Sequence, residues 1–202
     1  KWLTEIAHRN PIWIHTKDAR RLGVNNGDLL KITTEIGWFV DKVWVTEAIK
    51  PGVVACSHHI GRWRRQQDEG NRFMTNTVNI QNIGDGKWKM ETVQGIKPWK
   101  TNDPDTNRIW WRDGGVHQNI THAVNPDPIS GAHCWLQKVS ISKPKPDEKY
   151  GDVFVDTNKS FEHFKKWNGW AKERETHPNG LRRPLWMGRP LTPQKDQFYI
   201  QD

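Results

Sequence analysis

Residues 10–61 read NPIWIHTKDARRLGVNNGDLLKITTEIGWFVDKVWVTEAIKPGVVACSHHIG, and the order of segments within them decides the fold. A strand-like run, Pro11–His15, leads into a short helix, Lys17–Leu22. Gly23 breaks the helix, and Asn25–Asn26–Gly27–Asp28 turns the chain. Two β-rich runs follow, Leu29–Thr34 and Phe39–Val45, then a Pro51–Gly52 turn and a third run, Val53–Ser57. Thr16 is placed to cap the helix and Asp18 to complement the dipole in its first turn. Ala19 and Leu22, three apart, share a face. Gly23 suits the left-handed position that ends a helix. Leu30 and Ile32 alternate with Lys31 and Thr33, and Val43 and Val45 with Trp44 and Thr46, which is the period of strands with one buried face. Gly37 falls where the second and third strands must turn. The expectation is a mainly β unit with short helices.

Outward from this stretch the composition changes. Residues 64–108 are polar and Asn-rich, and are broken by Gly84–Asp85–Gly86 and Asn102–Asp103–Pro104. They read as a long inserted loop of the kind that serves function or is ordered by a partner. Structure is expected to return between Ile109 and Ile141, where Gln137–Ile141 alternates like a strand that rejoins the same sheet. Lys143–Pro144–Lys145–Pro146 marks a boundary. Residues 147–202 are poor in aliphatics and rich in Pro, Gly and Arg, with one short helical segment at Ser160–Lys172. Such a tail wraps a partner surface more readily than it builds a core. The expected division is therefore 1–142, interrupted by the insertion 64–108, and an extension 143–202.

The 202 residues suffice for one domain and an extension, yet only 34% are hydrophobic and mean hydropathy is −0.89. Thirteen Trp residues in so polar a chain imply aromatic surface packed against something beyond its own core. A net charge of +8 suits an acidic partner, nucleic acid or the phosphates of a cofactor. Two cysteines, Cys56 and Cys134, exclude a disulfide framework and an iron–sulfur cluster held by this chain. No apolar run reaches the length of a transmembrane helix. The opening KWLTEIAHRNP reads as the middle of an element, so the chain is expected to be the C-terminal piece of a longer polypeptide. Any targeting signal would then lie upstream, which leaves cytoplasm and periplasm equally open.

The blocks NPIWIHTKDARRLGVNNGDLLKI and VTEAIKPGVVACSHHIG, followed by Asn119–Ile120–Thr121, Asp127–Gly131 and Lys138–Ile141, resemble the C-terminal molybdopterin-dinucleotide-binding domain of the dimethyl sulfoxide reductase family. The resemblance rests on several spaced blocks in the right order and covers most of residues 1–142. It implies a six-stranded double-psi β-barrel with short helices, to which the long irregular C-terminal extension read from the composition is added. It implies molybdopterin guanine dinucleotide in its bis form, carrying molybdenum or tungsten. The metal ligand and any 4Fe-4S cluster would sit in other domains. Implied partners are the remainder of the catalytic polypeptide or a large subunit, and an Fe-S electron-transfer subunit. Carried over by position, Asn10 begins the segment near a guanine, Asn119 matches a pterin contact, and Gln137 lies where a polar side chain reaches the cofactor. His58–His59–Ile60–Gly61 stands where the family has His-Gly-aromatic-Gly, so His58 or His59 would make the contact beside Gly61. Arg62 is placed to meet a diphosphate. The form WWRDGGVHQN…PDPISGAHCWLQKV is closest to the sulfur- and arsenic-oxyanion branches.

Rival readings are weaker on chemistry. Cys56, His58, His59 and His133–Cys134 imitate zinc ligands, but their spacing is irregular. Gly84–Asp85–Gly86 lacks the preceding strand and following Lys-Ser/Thr of a phosphate loop and reads as a turn. Arg62, Arg64 and Arg65 around Trp63 suit nucleic acid as well as an interface. Trp110–Trp111 reads as core or interface ahead of a cofactor wall. No Ser/His/Asp arrangement identifies a nucleophile, and no catalytic residue or metal ligand is assigned. The alternatives to a cofactor-binding domain are a cofactor-free barrel serving assembly and a basic nucleic-acid-binding barrel.

Overall fold

The computed structural model describes residue 7 and residues 9–59, 78–92, 115–126 and 132–172. The described elements are β1 (Ile12–His15), α1 (Thr16–Leu22), β2 (Leu29–Thr33), β3 (Gly37–Thr46), β4 (Val54–Ala55), β5 (Val78–Asn82), β6 (Lys87–Thr92), a single-turn 3₁₀ helix (Gln118–Thr121), β7 (Ser140–Ser142), β8 (Val153–Asp156) and α2 (Thr157–Lys172). The chain is mainly β, as its periodicity predicts. All eight strands join one sheet, in the order β4-β1-β3-β8-β6-β5, with β2 joining β3 and β7.

β3 organises the sheet. Its last residues pair in parallel with β1, Ile12 opposite Val43, while its first half pairs antiparallel with β2, Lys31 opposite Val40. The alternation read in the sequence sets the register. Ile12, Ile14, Leu30, Ile32, Phe39 and Val43 bury their side chains in one cluster, joined by Met90, Val116 and Val153. Each such side chain removed from water contributes roughly 1.5–3 kcal/mol. β7 returns to β2, Ile32 opposite Ile141, so the late strand does rejoin the first part of the chain, starting three residues and ending one residue later than the predicted run. Among the described residues the sheet does not close on itself: eight strands are described, in an open order.

The helix cap differs from expectation. His15, extended at φ −69° and ψ 145°, is the N-cap, and its Nδ1 accepts from the Lys17 amide at 3.0 Å. The Thr16 hydroxyl turns away to Glu47, which also meets His15 Nε2 at 3.0 Å. Gly23 takes the left-handed conformation at φ 61°, and its amide bonds back to Ala19 and Arg20.

Three further strands correct the sequence reading. Part of the supposed loop 64–108 is the hairpin β5–β6, with Gly84–Asp85–Gly86 as its turn. β6 then pairs with β8, and β8 with the start of β3, Trp38 opposite Phe154. The sheet thus runs past residue 142. Val153 and Val155 are buried, whereas the Phe154 ring stacks on Trp38 at 5.8 Å. A run of only four residues between polar flanks was too short to register against its surroundings.

Candidate functional site

The loop Ser57–His59 leaves β4 and is met by side chains from distant segments. Asn10, 1% exposed, is the first. Its Nδ2 donates to Ser57 O at 3.0 Å and to Val116 O at 2.9 Å, while its Oδ1 accepts from Val116 N at 2.8 Å. The carboxamide is engaged wholly within the chain. Asn10 therefore stands as a clamp between the segment entering β1 and the segment entering the 3₁₀ helix.

Asn119 sits on the 3₁₀ helix and donates from Nδ2 to His58 O at 3.0 Å. Its Oδ1 is shut from solvent and has no partner in the described structure. A buried acceptor without a donor costs about 1–3 kcal/mol, so a donor arriving there is favoured. His58 is exposed and lies flat on Trp135, ring centroids 4.5 Å apart. His59, also exposed, contacts the Ser57 hydroxyl through Nδ1. Gly61 and Arg62 lie outside the described residues, as do Asp127–Gly131 and Trp110–Trp111.

Gln137 reaches the same region through a relay that the sequence reading missed. Gln118, 1% exposed, donates from Nε2 to Ser57 O at 3.3 Å, and its Oε1 meets His122 Nε2 at 2.6 Å. Gln137 Nε2 bonds His122 Nδ1 on the other side of the ring. Asn10, His59, Asn119 and Gln137 are thus all tied, directly or through Gln118 and His122, to one three-residue loop. The i, i+4 spacing of Gln118 and His122 was the one available signal for the pair.

Beside this relay lies a cavity of about 660 Å³. Ile12, Ile32, Phe39, Val54, Val139 and Ile141 form its apolar walls; Gln118, His122 and Gln137 supply one polar group, Asp18 and Arg21 another. Asp18 is held by the Gly52 amide at 2.6 Å and by Arg21 at 3.1 Å. Cys56 also lines the cavity. Burial, with Asp41 adding, pushes its thiol far up, so it stays protonated at neutral pH. Among the described residues no group of three or more His, Cys, Asp and Glu is placed to hold a metal ion.

Burial holds the His122 imidazole below its ordinary 6.5, with repulsion from His133 and His58 adding to it. The folded state therefore prefers the neutral ring, while the unfolded state binds more protons. Stability from this group is complete above about pH 6.5 and is lost as pH falls through and below that value. The unfolding midpoint should decline on acidification from pH 7, and His122→Asn should flatten that decline. An equal slope in the variant would assign the acid sensitivity to other groups.

Residues 1–84 match the family model of the molydopterin dinucleotide binding domain. Over 51 residues the chain is 35% identical to the arsenate respiratory reductase molybdopterin-containing subunit ArrA of Chrysiogenes arsenatis. That alignment covers 25% of this chain and 6% of the relative. Residues 1–84 are thus similar to a molybdopterin dinucleotide-binding domain, in line with the sequence resemblance, and the chain spans only a small part of the length of that relative. Among the described residues no helix is long and apolar enough to cross a membrane.

Proposed function

We propose that this chain is the part of a molybdenum or tungsten oxidoreductase that covers a bis(pyranopterin guanine dinucleotide) cofactor, in the branch that acts on arsenic or sulfur oxyanions. The observation that carries the reading is the match of residues 1–84 to a dinucleotide-binding family. Its arsenate reductase relative supports the branch. The residues suit the group. Guanine and pterin edges carry N–H donors, and Asn119 Oδ1 is a buried acceptor lacking one. His58, His59 and Gln137 would border the ligand, with Gly61 allowing close approach and Arg62 meeting the diphosphate. Asn10 would act one step back, by holding Ser57 and Val116.

When bound, the metal and pterin would supply the oxygen-atom or electron transfer. This chain's residues would bind and orient the group and keep water from it. The sheet, as a double-psi barrel completed by further residues, would form the rigid support, with residues of the 143–202 extension wrapping a partner surface. The partners would be the rest of the catalytic polypeptide and an Fe-S subunit; the 4Fe-4S clusters would lie outside this chain.

The test is Asn119→Leu in the full enzyme. It removes the bond to His58 O and the waiting acceptor. Metal and pterin content should fall about tenfold, the factor for 1.4 kcal/mol, with unchanged circular dichroism. Full occupancy in this variant would refute the assignment.

A further inference from the structure

We propose that Gln118 is a positioning residue: it fixes the tautomer of His122 and, through it, which end of the Gln137 carboxamide faces the cavity. Its value to a cofactor rests on the function proposed above. The Ser57 carbonyl can only accept, so the Gln118 carboxamide must turn its Nε2 toward Ser57, 3.3 Å away. Its Oε1 then faces His122 Nε2 at 2.6 Å, and that nitrogen must carry the hydrogen. In a neutral ring Nδ1 is left as a lone pair, which accepts from Gln137 Nε2.

The consequence falls on Gln137. With its Nε2 turned to His122, its Oε1 points the other way as an acceptor at the cavity wall, matched to the N–H groups of a pterin or guanine edge. The opposite tautomer, or a second proton on His122, would turn Nδ1 into a donor. Gln137 would then have to reverse and offer N–H groups instead. A buried Gln118, two side chains away, thereby decides the polarity of the site. The titratable rings facing His122 are His58 and His133, gathered with it around Trp135 at centroid distances of 4.5, 4.4 and 5.7 Å for His58, His133 and His122. Asp18, Arg21 and Lys138 line the same cavity. The two neighbouring imidazoles disfavour a charged His122 and so reinforce the neutral tautomer.

The experiment uses the full holoprotein labelled with nitrogen-15 histidine, the His122 resonances being assigned by their loss in His122→Asn. At pH 7 the wild type should show an imine-type Nδ1 and a pyrrole-type Nε2. Gln118→Met keeps the side-chain length and removes the hydrogen bonds, and should mix the two tautomers. Gln118→Glu keeps the acceptor, favours the doubly protonated ring, and moves His122 titration to higher pH; it serves where the Met variant does not fold. Both variants should retain about fivefold less pterin after gel filtration, the effect of one hydrogen bond. An unchanged His122 tautomer in Gln118→Met, or an unmoved titration in Gln118→Glu, would overturn the proposal. So would wild-type pterin content alongside an altered tautomer. If the wild type holds no pterin but His122 responds as stated, the cofactor reading fails and the positioning of His122 stands.

Discussion

Asn10→Ala should lower stability by about 3 kcal/mol and reduce the thermal midpoint by roughly 6–12 °C for a chain of this size. Three hydrogen bonds vanish at once, from a side chain that is 1% exposed. The Ser57 carbonyl keeps Gln118 as a donor, and the Val116 carbonyl keeps the Gln118 amide. The Val116 amide loses the Asn10 oxygen and is left buried without that partner, which is where most of the cost falls. Asn10→Asp separates the contributions: its carboxylate can still accept from Val116 N but cannot donate to either carbonyl. Thermal unfolding of both variants is the measurement. A loss under 1 kcal/mol in Asn10→Ala would show that the clamp is dispensable. Because the clamp fixes the loop that Asn119 and Gln118 also meet, cofactor retention should fall with it, through the backbone rather than through lost base contact.

Gly37→Val should cost about 3–4 kcal/mol, at the upper end for overpacking, because the obstruction is main chain. A Cβ at Gly37 would run into the carbonyl of Phe154, and would lie 3.2 Å from Val155 Cα. No rotamer change relieves a clash with backbone, so β8 must move away from β3. Gly37 also closes the turn with Thr34, whose amide donates to Gly37 O at 2.8 Å. Hydrogen exchange should show the amides of Val153–Asp156 losing protection first, with urea unfolding giving the total. Protected β8 amides in a folded Gly37→Val protein would contradict the pairing of Trp38 with Phe154.

Much of the fold was legible in residues 10–57. Alternation at Leu30, Ile32, Val43 and Val45 and the break at Gly23 are local properties, set by side-chain direction and by the one residue that tolerates φ 61°. β5, β6 and β8 were not legible, because β5 and β6 mix Asn, Gln, Lys and Glu with few apolar residues and β8, though apolar, is only four residues long. Their strand character comes from pairing: Met90 is buried only because β8 lies beside it, and Val153 because β3 and β6 flank it. The same divide runs through the site. Residue type could nominate Asn10, Asn119 and Gln137, since carboxamides carry both donor and acceptor. Only the tertiary structure decided that Asn10 spends both on the backbone, that Asn119 keeps an acceptor unfilled, and that Gln137 answers to Gln118 through His122. A hydrogen bond is fixed by direction and distance across the fold, from residue 10 to residue 116 and from 57 to 118, and no local pattern encodes that.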